Sequence, residues 1–121
     1  MESILLTIKK MLGLEPEYTP FDTDIIVLIN SSLMRLHQLG IGPKDGFRIT
    51  GDSQTWKEFV GDREDLNSIQ EFIFIRTKLS FDPSSTSFAI QAYKDRAAEL
   101  EWCLMVEEEY SKEEAKGVRK S

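Results

Sequence analysis

The segment GIGPKDGFRITGDSQTWKEFVGD, residues 40–62, holds five of the seven glycines in the chain. Glycine reaches positive φ without the steric cost a Cβ imposes, so glycines gathered in one stretch specify a shaped backbone excursion. Gly42-Pro43 and Asp45-Gly46 are turn signals. Phe47, Ile49, Trp56 and Phe59 give the same stretch four large apolar side chains. A long loop of this kind is more often a contact surface than a plain connector. Phe47, Arg48, Ile49 and Thr50 alternate weakly enough to form a short strand, which would need a partner edge to be stable.

On both sides of this segment the apolar residues recur at helical spacing. Ile4, Leu5, Ile8, Met11 and Leu12 make one stripe and Gly13 stands where that helix would stop. Thr19 reads as an N-cap with Pro20 at the first helical position. The helix that follows carries Ile25, Ile26, Ile29, Leu33, Leu36 and Leu39, with Gly40 closing it. Ser53 caps a short helix through Val60. A further helix carries Leu66, Ile69, Phe72, Ile73, Ile75 and Leu79 until Asp82-Pro83 breaks it. The cluster 84–87 caps a last helix, in which Ala89, Tyr93, Ala97, Leu100 and Leu104 share one face.

The expectation is therefore an all-α fold: a small bundle of about four to five helices with one long glycine-rich loop. Helices are expected over 3–12, 20–39, 53–60, 63–81 and 85–110. The core is expected to include Ile26, Ile29, Leu33, Leu36, Leu66, Ile69, Ile73, Tyr93, Leu100 and Leu104. Residues 1–110 read as one domain and 111–121 as a charged tail with little to bury.

Composition excludes several function classes. A hydrophobic share of 40% is that of a globular chain. A net charge of −6 leaves no basic excess for gripping nucleic-acid phosphates or anionic lipid. The single cysteine, Cys103, lies between Trp102 and Leu104 and reads as a small buried hydrophobe. No apolar run is long enough to span a membrane, and the N-terminus lacks the basic start of a signal peptide, so a cytoplasmic setting is expected.

No residue constellation predicts catalysis, a cofactor or a metal. His37 is the only histidine and reads as a helix-end residue. Asp22 and Asp24 belong at a helix start and lack the glycine and final glutamate of a calcium loop. Glu99 and Glu101 point to different sides of a helix, and Gly40 and Gly42 are not followed by Gly-Lys-Ser/Thr. What remains is contact chemistry. Trp56 and Phe59 suit a core better than a partner. Phe47 and Ile49 stand open between core and partner surface, as does the N-terminal helix. Phe47, Arg48, Ile49 and Thr50 are the candidate interface residues.

The run IIVLINSSLMRLHQLGIGPKDGFRITGDSQTWKEFVGD resembles the head–tail connector (adaptor) family of tailed bacteriophages, and EFIFIRTKLSFDPSSTSFAIQAYKDRAAELEWCL continues the resemblance. The matching elements are Gln38-Leu39-Gly40, Gly42-Pro43, Gly46-Phe47, Trp56 with Phe59-Val60-Gly61, Phe81-Asp82-Pro83 and Glu99-Leu100-Glu101-Trp102. They run from about residue 14 to 106. The resemblance implies a non-catalytic virion protein of the neck region, assembled in the bacterial host cytoplasm. Its copies would form a ring below the portal protein, extend the DNA exit channel and present a platform to the next neck or tail-completion protein. DNA would pass through without specific binding, which suits an acidic conduit. The alternative reading is a monomeric helical regulator that binds another protein.

Overall fold

α4 (Leu66–Phe81) is the axis of the structure, because α1 (Ile4–Met11), α2 (Asp22–Gln38) and α5 (Ser87–Ala115) all pack on it. The computed structural model describes residues 2–82 and 86–115, with side chains through residue 110. Its one other helix is the short α3 (Trp56–Val60), and among the described residues there is no strand. The all-α reading is borne out. Phe47–Thr50 forms no strand, and the sole β-bridge described is an isolated antiparallel one between Ser3 and Thr55.

Burial explains why α4 is central. Ile69, Phe72, Ile73 and Ile75 are all buried, so α4 is covered on several sides rather than along one stripe. α2 contributes Ile25, Ile29, Leu33 and Leu36, at gaps of four, four and three. α5 contributes Leu100 and Leu104, with Tyr93 and Ala97 packed against the same cluster. Of the expected core residues, Ile26, Leu66 and Tyr93 flank the core half-buried and the others lie inside it.

α1 belongs to that core. Ile4, Leu5 and Ile8 are buried. The helix ends in a Schellman motif, where Gly13 N–H reaches Lys10 O and Leu14 N–H reaches Lys9 O, satisfying carbonyls that the helix end leaves open. Lys9 is fully buried, which a lysine tolerates only when paired. Its ammonium donates to Pro16 O at 3.0 Å and Tyr18 O at 2.7 Å, and sits 2.8 Å from the Asp22 carboxylate. One buried cation thus fastens the link between α1 and α2.

Several boundaries differ from expectation. α2 starts at Asp22, and its N-cap Phe21 makes no side-chain cap, so Thr19 is not the cap. Thr19 O instead accepts from Asp22 N–H in a turn around Pro20, in the link that Lys9 holds. Thr55, rather than Ser53, caps α3. α4 begins at Leu66, after a turn at Glu64 and Asp65. Thr86 Oγ1 accepts from Ala89 N–H, so the expected cap cluster does supply a cap, and a helix start at 85 lies outside the described residues. α5 continues through Ala115, past the expected end at Tyr110.

Candidate functional site

The loop of residues 40–62 is tied to the bundle from end to end. It leaves α2 through a second Schellman motif: Gly40, at φ +90°, donates to His37 O, and Ile41 donates to Leu36 O at 2.9 Å. Ile41 itself is buried, the apolar contact that often accompanies this motif. Gly42 is required twice over. Its φ is +96°, and a Cβ there would meet the Phe59 ring at 2.5 Å.

The middle of the loop is held by a side chain acting as a strand edge. Asn30, midway along α2, donates Nδ2–H to Ile49 O at 3.0 Å and accepts Ile49 N–H on Oδ1 at 2.7 Å. Both backbone groups of Ile49 are thereby satisfied, as burial demands. This occupies the hydrogen bonds that a partner strand would have made.

The far end is stitched to the N-terminus. Gln54 Oε1 accepts from Thr50 N–H, Ile4 N–H donates to Gln54 O, and Trp56 Nε1–H donates to Thr7 Oγ1 at 2.9 Å. Thr55 and Glu58 then form a reciprocal capping box for α3. Trp56 and Phe59 are buried, as the sequence suggests.

The four candidate interface residues separate. Ile49 is 1% exposed and belongs to the core, which corrects the expectation of an apolar side chain seeking burial in a neighbour. The Asn30 clamp is the physical reason, because it fixes Ile49 inward and leaves Arg48 and Thr50 exposed on either side. Phe47 is half-buried, with its ring 5.3 Å from that of Phe59. It forms one wall of a groove whose other wall is the outer side of α2, at Val27 and Met34. His37 and Arg48 also line this groove, together with Asp45.

α5 also carries uncovered apolar side chains, with Asp95 and Glu99 between them on the same side of the helix. Phe88 is 85% exposed and Trp102 62%, and Val106 is also exposed. Cys103 is exposed too, contrary to expectation. Leu104 faces the core, and a step of one residue turns the side chain by about 100°, which carries Cys103 off that face.

Ion pairs hold α5 on the bundle. Arg96 bridges Glu71 of α4, at 2.8 Å, and Glu99 of its own helix. Arg63 joins Asp65 at 2.7 Å and Glu108 of α5 at 3.0 Å, and Arg35 of α2 pairs with Glu101. The Arg96 guanidinium holds the Glu71 carboxyl below the usual glutamate range. The hydrogen bonds that Arg96 donates to Glu71 and Glu99 raise its own guanidinium in turn. Asp65 above all, against burial, keeps Arg63 charged.

Among the described residues no group of three or more His, Cys, Asp and Glu side chains is placed to hold a metal ion. No described helix is long and apolar enough to cross a membrane. The arrangement offers contact surfaces: a groove in which Arg48 and Asp45 accompany Val27, Met34 and Phe47, and exposed apolar side chains on α5. Sequence reasoning missed Asn30, Lys9 and the exposed apolar side chains of α5. An asparagine inside a helical stripe, where it is a poor helix former, was the available signal for the first.

A family model described as phage connector protein matches residues 4–111. No curated protein sequence and no solved structure matches the chain.

Proposed function

This chain belongs to the phage connector protein family and so has a structural connector role in a bacteriophage; we propose that it is a head–tail connector subunit whose copies form a ring below the portal. In that position the ring extends the DNA exit channel and gives the next neck or tail-completion protein its platform. The observation that carries this reading is the family match, which takes in all five helices nearly to the end of α5.

Physical features support it. The bundle fills its own core, loop included, so each copy is a rigid building block. Phe47, Arg48 and Thr50 remain at the surface of the loop as the contacts it offers to a neighbour. A chain of net charge −6 suits a conduit that DNA must slide through, because carboxylates repel phosphates.

The test is sedimentation of purified chain with purified portal rings, followed by imaging of the complex. Many copies per portal, in a single layer on the tail-side face, are expected. Failure to bind portal, or one copy per portal, would overturn the reading. Duplex DNA should not be retained by the free subunit at physiological salt.

A further inference from the structure

Three aromatic rings meet at one end of the bundle, where α2 begins and α4 ends. Tyr18 lies 5.9 Å from Phe21, and Phe21 lies 5.3 Å from Phe81. Tyr18 and Phe21 are 44% and 40% exposed. Glu17 precedes Tyr18, and Asp24 stands about one turn after Phe21. Both carboxylates are exposed, and neither has an ion-pair partner among the described residues. Lys9 and Lys78 at this end are already engaged, with Asp22 and Asp82, and Lys10 lines a separate groove with Glu2 and Glu15. Exposed rings beside unpaired carboxylates suit a lysine or arginine side chain, which the ring faces and the carboxylates both attract.

A segment of that chemistry follows α5. Residues 116–121, KGVRKS, carry Lys116, Arg119 and Lys120, and none of the twenty-one acidic side chains of the chain. We propose that the aromatic end takes segment 116–121 of a second copy, a contact that rests on reading this chain as a ring subunit. Each copy then gives a basic segment at one end and accepts one at the other, the head-to-tail mode that closes into rings larger than two. A contact this small gains strength when it is repeated around a template.

Reach excludes the segment's own copy. α5 runs antiparallel to α4, with Arg96 beside Glu71 and Glu108 beside Arg63. From Asp65 to the aromatic end at Phe81, α4 rises about 24 Å. From Glu108, α5 continues about 10 Å in the opposite direction to Ala115. Six extended residues span about 20 Å, which falls short of Tyr18 and Phe21 on the same copy. The groove lined by Val60, Glu64 and Glu107 is nearer, but it has no aromatic ring and already holds Arg63 between Asp65 and Glu108.

Carbodiimide cross-linking tests the contact, because it joins a lysine amine to a carboxylate without a spacer. Isotope-labelled and unlabelled chains are mixed and treated both on portal rings and free at high concentration. Linked peptides joining Lys116 or Lys120 to Glu17 or Asp24 are expected, many with one labelled and one unlabelled partner. Tyr18→Ala should lower their yield several-fold while leaving thermal unfolding unchanged, and an unchanged yield would overturn the aromatic site. Links confined to one copy, at Glu64 or Glu107, would overturn the contact, as would links spread evenly over the carboxylates of a second copy. Portal-bound protein without the Glu17 and Asp24 links would overturn it and leave the ring standing. Those links in a chain that does not bind portal would uphold it and overturn portal docking, and neither links nor portal binding would overturn both.

Discussion

The two tryptophans sit in surroundings opposite to their backbones. Trp56 opens a five-residue helix at the end of a long irregular segment, yet it is 2% exposed and its indole N–H donates to Thr7. Trp102 sits in the middle of a 29-residue helix, yet it is 62% exposed. Regular backbone satisfies its own hydrogen bonds and so needs no particular side covered. Irregular backbone must find partners elsewhere, and here it finds them in Asn30 and the N-terminal segment, which draws the loop's side chains inward. The irregular region is therefore the more deeply committed to the core, and the regular helix is the one with a side to spare.

The comparison can be broken most severely at Trp56. Trp56→Ala should cost about 3–5 kcal/mol, as large-to-small changes at buried aromatics do. Denaturant titration checks this, and a loss in the surface range would return the loop to solvent. Asn30→Ala should cost about 1–3 kcal/mol, because two backbone groups of buried Ile49 lose their partners at once. Gly42→Ala should cost about as much, through its positive φ and the Phe59 ring. Trp102→Ala should stay within about 0.5 kcal/mol of the parent, the usual range for an exposed position.

A still smaller effect sharpens the α5 side of the contrast. Glu71 titrates below its unfolded value because Arg96 holds it charged. Its contribution to stability is present above the usual glutamate pKa and is lost as pH falls through the lower folded value. Glu71→Gln should therefore narrow the gap in stability between neutral and acid pH, and parent and variant should converge at the acid end. The pair is exposed and the change small, so thermal unfolding across acid pH is the measurement.

Much of this was legible from spacing. The stripe from Ala89 to Leu104 identifies the side of α5 that faces the core, and the glycines mark the loop as shaped. Ile25 with Ile29, Leu33 and Leu36 could be read in the same way. The rest depends on pairs far apart in the chain. Asn30 meets Ile49 across nineteen residues, and Lys9 reaches past Pro16 to Asp22. No periodicity reports either. The exposure of Phe88 and Trp102 stayed hidden for another reason: apolar residues on two sides of a helix look like one broad core face until the packing shows which side is covered.

The central claim is that the irregular loop is committed to the core while the long helix α5 leaves Trp102 in solvent. Trp56→Glu and Trp102→Glu, each compared with the parent for thermal unfolding in the same buffer, test it most directly. The expected result is an unchanged unfolding temperature for Trp102→Glu and a large loss, or no folding, for Trp56→Glu. Equal effects of the two substitutions, or a Trp102→Glu variant that no longer folds, would contradict it.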